Sequence, residues 1–266
     1  MGAKARRKGR QKEVHFVFKS HPGGELLLRD GLRKGTRSVL LEHPTGVFPE
    51  KDLIKLFRKR ISEKEAITRW NTSMKWLLEN VEKRGIKIKV GETVKNADEL
   101  NRLRELFIRN EFYLIRFVEG PSLRRFATFA ICAAKYHRFR HSLIKRTIRE
   151  TIEKGEAPVT AIYGTAHRSL SRDLLEEGIK SSREIRGQVF THAEEIIERL
   201  IMGERPKKIP KELWRKGFIS AFLTGCTKFP GRVTGKHIDK LTDRDAIFFS
   251  ALERALIDNL LSLIHI

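Results

Sequence analysis

Apolar residues gather in short blocks at four places along the chain and recur at helical spacing through most of the rest. Residues 14–18 (VHFVF), 37–41 (RSVLL), 86–90 (IKIKV) and 159–163 (VTAIY) read as strands. The alternation of apolar side chains with lysine in 86–90 predicts a short strand at a sheet edge. Between them the period lengthens to that of a helix. Residues 22–34 carry Leu26, Leu27, Leu28 and Leu32, and 50–60 read as a short basic helix. Ser62 and Glu65 form a capping box opening a helix through Trp70, Trp76 and Val81 that Gly85 ends. A helix over 97–118 breaks at Gly120-Pro121, and the next runs to about Lys154 with Gly155 as its stop. Beyond Arg186 the pattern is wholly helical. Thr191 and Glu194 make a second capping box, 205–210 (RPKKIP) is a basic linker bounded by prolines, and helices follow at 211–223 and 242–263.

This order predicts an α/β fold: a small central sheet with two strand–histidine–helix units, a large helical insert and a helical C-terminal extension. The expected division is a basic tail over 1–12, a core over 13–185 with the insert at about 50–155, and the extension over 186–266. The second strand–turn–helix unit is the sharper one. Strand 159–163 leads into Gly164-Thr165-Ala166-His167, and a helix then runs to Gly178. Glycine at 164 is expected to give the tight turn, and the histidine to face the crevice where open α/β sheets place their ligands. The first unit repeats the order with His21 after strand 14–18, and the strand that follows ends in Glu42-His43-Pro44. His21, Glu42 and His167 are thus brought toward the strand ends of one sheet. A lone Gly-x-x-His carries no weight at this glycine content; its place after a strand does.

Composition changes the picture in one respect. The 266 residues carry 55 Lys and Arg against 33 Asp and Glu, a formal charge of +22 at pH 7. Such charge attracts nucleic acid, anionic surfaces or acidic substrates, without fixing fold or chemistry. There is no apolar run of transmembrane length and none of signal-peptide length behind the basic start, so a cytoplasmic protein is expected, with no membrane partner. Cys132 and Cys226 lie far apart without metal spacing, and Cys132 sits in an apolar run as a small core residue. Two glutamines among abundant Lys, Arg and Glu resemble the composition of proteins from hot environments.

A Gly-x-x-His motif after a strand, Glu42-x-Pro44 after the first strand–helix unit and a long helix carrying Arg140 together resemble the TraB/Tiki group, related to the erythromycin-esterase and ChaN-like proteins. The resemblance covers residues 13–185 in outline and is best over 140–178. It departs at the first motif, where Phe18 stands in the glycine's place before His21, and at His141, where the group often has an acidic residue or Asn. It implies hydrolase activity: Tiki-like members resemble metal-dependent peptidases, erythromycin esterases activate water with His and Glu without a metal, and ChaN-like members bind haem.

The chemistry these residues can support is hydrolysis of an amide or ester. His21, Glu42 and His167 would surround a water, with or without a divalent ion such as Mn, Co or Zn. Without one, Glu42 would orient a histidine acting as general base. Arg140 would stabilise a developing oxyanion. Gly164 and Thr165 at the helix start and Arg138 near Arg140 are the further candidates for holding an anionic substrate. The bland alternatives are plain as well. His167 would be a helix-start residue satisfied by backbone, Glu42 a carboxylate capping the next turn, and Arg140 part of a solvated basic face with Lys135, Arg138, Lys145, Arg146 and Arg149. A member that has lost catalysis and binds nucleic acid or another anionic partner is the competing function.

Overall fold

The computed structural model describes residues 12–19, 32–42, 65, 81, 83–186 and 191–228. The chain forms two compact units. The first comprises Met1–Lys19, Gly24–Lys95 and Ser142–Arg186; the second comprises Ser20–Gly23, Asn96–His141 and Gly187–Ile266. The stretch expected as one helical insert is therefore shared, and Asn96–His141 groups with the C-terminal helices. His21, His43, Pro44, the helices expected at 50–60 and 242–263 and most of those expected at 22–34 and from Ser62 to Gly85 lie outside the described residues; the described end of the first, 32–34, is not helical.

The first unit is built on a five-stranded parallel sheet. Its strands are β1 (Glu13–Lys19), β2 (Ser38–Leu41), β3 (Lys87–Val90), β4 (Val159–Gly164) and β5 (Lys180–Arg186), in the order β3-β2-β4-β1-β5. All five run parallel, with Val14 beside Val159, Ser38 beside Val159 and Lys87, and Glu13 beside Lys180. The all-buried run of β4 suits its central place. β3 is at an edge, as its lysines predict. β5 is not visible in the apolar pattern: KSSREIR has one apolar side chain, Ile185, and that one is exposed. A strand this polar is stable where only one neighbour pairs with it and charged side chains guard the open edge.

Alternate strand residues feed two cores. Val14, Phe16, Phe18, Leu40, Ala161 and Tyr163 pack against Ile144 and Ile148 of a long helix, α2 (Leu123–Glu153), and against Leu170 and Leu174 of α3 (Leu170–Glu176). Val17, Val39, Leu41, Val90 and Ile162 pack with Val81 on the other face. The C-terminal part of α2 is tied to the end of α3 through Glu177, which takes Lys145 Nζ at 2.9 Å and the guanidinium of Arg149. Glu156 likewise receives Lys87 at 2.7 Å and Lys89.

The second unit is helical. Its members are α1 (Ala97–Glu119), the first part of α2 (Leu123–Glu153), α4 (His192–Ile201) and α5 (Lys211–Lys228). Asn96 caps α1 by accepting from Glu99 N–H at 2.8 Å, and α2 starts after Ser122, whose hydroxyl accepts from Arg125 N–H. Pro121 thus stands before the helix rather than in its first turn. The Thr191–Glu194 capping box opens α4 as its sequence predicts. Phe117, Phe126 and Phe129 form an aromatic core with Trp214, Phe218 and Phe222. α5 approaches α4 closely at Gly217, where a Cβ would stand 2.4 Å from Ile196 Cδ1. Among the described residues no helix is long and apolar enough to cross a membrane.

Candidate active site at the strand ends

β2 leads on toward β3 at one edge, and its neighbour β4 leads on toward β5 at the other. The chain thus leaves two adjacent strands in opposite directions. Such a divergence marks the carboxyl ends of the two strands as the place where open α/β sheets bind ligands. Glu42 follows β2 directly, and Gly164 ends β4. Glu42 N–H donates to Ile162 O at 3.0 Å, which holds the residue against β4.

Its carboxylate then does two things. One oxygen, Oε2, accepts from Gly164 N–H, and the other, Oε1, lies 3.1 Å from His167 Nε2. The turn that follows Glu42 in the chain lies outside the described residues. His167 sits at the end of a 3-10 turn (Thr165–His167) and is fully buried, and the Glu42 side chain is 10% exposed. Gly164 itself has φ −67 and ψ 159, extended backbone open to any residue, so the turn does not need a glycine for its dihedrals. Its N–H goes to Glu42 rather than to an incoming anion.

The third member is Glu92, which sequence reasoning missed. Val90 lies beside Leu41, and Gly91 N–H extends the ladder by donating to Leu41 O at 2.8 Å. This carries Glu92 alongside Glu42. The next residue is pinned to α2: Thr93 N–H reaches Thr147 Oγ1 at 3.2 Å, the two hydroxyls are 2.8 Å apart, and Arg146 Nη2 donates to Thr93 O at 2.6 Å. The only signal in the sequence was position, a carboxylate two residues past the end of an edge strand. Glu92 is 3% exposed.

One ligand atom from each of Glu42, Glu92 and His167 lies within 4.8 Å of the other two. These three can hold a metal ion. The donor set fits: two carboxylates and an imidazole suit a borderline divalent cation, whose charge offsets the cost of burying two carboxylates together. The 3.1 Å between Glu42 Oε1 and His167 Nε2 fits shared ligation too. Two ligand atoms each about 2.0–2.2 Å from one ion stand roughly 3–3.5 Å apart at cis angles. Of the expected metal set, Glu42 and His167 are brought together, and His21 lies outside the described residues.

Tyr163 closes the site from below. Its ring meets the His167 ring edge-on, with centroids 5.6 Å apart. Its hydroxyl fills the space a side chain on residue 91 would take: a Cβ on Gly91 would lie 1.8 Å from Tyr163 Oη. One phenol therefore touches both the histidine and the segment that carries Glu92.

The arginines fall in the second unit. Arg140 is buried, with its guanidinium carbon 5.5 Å from the centre of the Tyr136 ring. That burial departs from a solvated basic face. Arg138 Nε and Nη2 donate to Ile201 O at 3.3 Å and Leu200 O at 2.5 Å, which caps the carbonyl end of α4. Thr165 is buried, and its carbonyl accepts from Arg168 N–H. Cys132 is half-buried, and burial raises its thiol above the ordinary range. No family model, no curated protein and no solved structure matches the chain.

Proposed function

We propose that this chain is a hydrolase of amide or ester bonds, acting through Glu42, Glu92 and His167. The observation that carries the proposal is the buried Glu42–His167 contact at the carboxyl ends of two strands the chain leaves in opposite directions. The resemblance of Glu42-x-Pro44 and Gly164-x-x-His167 to the TraB/Tiki group belongs to the same proposal. So does an anionic substrate, which the +22 charge favours.

The roles follow from the contacts. Without an ion, both oxygens of Glu42 are engaged, one by Gly164 N–H and one by His167 Nε2, and Glu42 orients the imidazole rather than shuttling protons. A divalent ion such as Mn, Co or Zn, held by Glu42, Glu92 and His167, would supply Lewis acidity and a more acidic water. Glu92, beside them, would act as general base, taking the proton of the attacking water and returning it to the leaving group. Such acid–base work contributes about 10²–10⁴-fold.

The test joins metal analysis with turnover of peptide and ester libraries. The expected result is about one transition metal per chain, lost in His167→Ala, and a kcat reduced about 10²–10⁴-fold in Glu92→Gln. Turnover retained in both Glu42→Ala and His167→Ala would refute the proposal. Turnover without metal, lost in those two variants, would keep the hydrolase and remove the ion.

A further inference from the structure

Residues 205–211 of the second unit place four exposed cations within seven positions. Several other cations meet carboxylates: Lys87 and Lys89 on Glu156, Lys95 on Glu150, Lys145 and Arg149 on Glu177, Arg199 on Glu195. Arg205, Lys207, Lys208 and Lys211 are all exposed, and among the described residues none has a carboxylate at ion-pair distance. The two acids nearest them are turned to other partners. Glu204 Oε2 lies 3.8 Å from Arg199 Nη1, and Glu212 Oε2 lies 4.0 Å from Arg215 Nη1.

The backbone under these cations is fixed. Pro206–Lys208 is a 3-10 turn, with Lys208 N–H on Arg205 O at 2.8 Å and Ile209 N–H on Pro206 O at 3.2 Å. Ile209 is buried, and the Trp214 indole N–H donates to Pro206 O at 3.2 Å while its ring packs edge-on against Phe126. Like charges on a flexible segment would spread apart. Here a pinned turn between two prolines holds them together, and their repulsion is relieved when an anionic polymer lies across them. Because the cations are already placed, little ordering is needed on binding.

We propose that this turn and the start of α5 form a phosphate-backbone interface for nucleic acid, independent of sequence. Phosphate contacts need only point charges, which lysine supplies. A lipid surface is less well matched, because the large apolar side chains of the segment, Ile209 and Trp214, are committed inward and leave nothing to enter the acyl boundary. The interface shares no residue with the Glu42, Glu92 and His167 site, and its test does not depend on hydrolysis.

The test is the salt dependence of binding between the full chain and a fluorescent single-stranded RNA of mixed sequence. Wild type is compared with Arg205→Ala/Lys207→Ala/Lys208→Ala/Lys211→Ala and with the charge-preserving Lys207→Arg/Lys208→Arg/Lys211→Arg. Each phosphate contact contributes about 0.7 to the slope of log K against log salt on a single strand, so the alanine variant should lose about three from that slope. Its affinity at ~50 mM salt should fall more than about tenfold, while the arginine variant keeps both. An unchanged slope and affinity in the alanine variant would overturn the proposal. So would absence of RNA binding by wild type at low salt, or binding to phosphatidylserine vesicles but not to RNA.

Discussion

Replacing Gly91 with alanine sets the site's packing against the ordinary benefit of losing a glycine. Nothing about the Gly91 backbone demands glycine by conformation, so alanine there should stabilise by about 0.4–1 kcal/mol through the unfolded chain. The space above it gives the opposite sign. A Cβ would lie 1.8 Å from Tyr163 Oη, 2.7 Å from Tyr163 Cζ and 3.0 Å from Leu41 O. Tyr163 is fully buried between Phe16 and His167, so its ring has no free direction in which to retreat. Overpacking of this kind costs about 1–3 kcal/mol. The net expectation for Gly91→Ala is a loss of roughly 1–2 kcal/mol, or a few degrees in Tm. The decisive assay is a double-mutant cycle by urea denaturation. In a Tyr163→Ala background the hydroxyl and ring are gone, and the two nearest contacts with them. There Gly91→Ala should cost about 1–2 kcal/mol less than in wild type, a coupling within the usual range for touching residues. An equal cost in both backgrounds would refute the packing argument, and with it the claim that Tyr163 sets the position of the Glu92 segment.

Two further outcomes follow from other contacts. Burial alone would raise the Glu156 carboxyl, but hydrogen bonds from Lys87 and Lys89, with their charges, outweigh it and hold the group below the ordinary 4.5. Because the folded value is the lower one, the stabilisation is present above 4.5 and is lost as pH falls through the folded value. Glu156→Gln should therefore flatten the loss of stability below 4.5 in an acid titration; an unchanged acid limb would count against this lock. Thr191→Ala removes the hydroxyl that accepts from Glu194 N–H at 3.2 Å and should lower stability by about 0.5–2 kcal/mol in denaturant unfolding, whereas Thr191→Ser should cost far less.

The sequence makes legible those features whose cause is local. The buried run of β4, the edge character of β3, the capping box at Thr191 and the stop at Gly178, with φ 76, each follow from residues within a few positions. Glu42 and His167 were also visible, because each stands just past a strand and parallel strands bring such positions together. What was hidden depends on distant partners. β5 has almost no apolar alternation, since an edge strand paired on one side is held by its backbone ladder to β1. Glu92 is an ordinary carboxylate until β3 is known to lie beside β2. Gly91 looks like a turn residue, and its purpose is a phenol seventy-odd positions further along the chain. The glycine that did attract notice, Gly164, has dihedrals any residue adopts and contributes its N–H instead.

The central place of β4 also has a consequence for how the chain is made. Among the described residues, β1 pairs only with β4 and β5, and β2 only with β3 and β4. Until Val159–Gly164 has left the ribosome, β1 has no strand to lie against and the sheet cannot close. A nascent chain must carry the apolar segment around Phe16 and Phe18 through most of its synthesis, exposed to misassociation or to a chaperone. Glu42 and His167 meet in the same late event, so the carboxylate and the imidazole are kept apart in every incomplete chain that ends before His167. Whatever this site does, truncated products cannot do it.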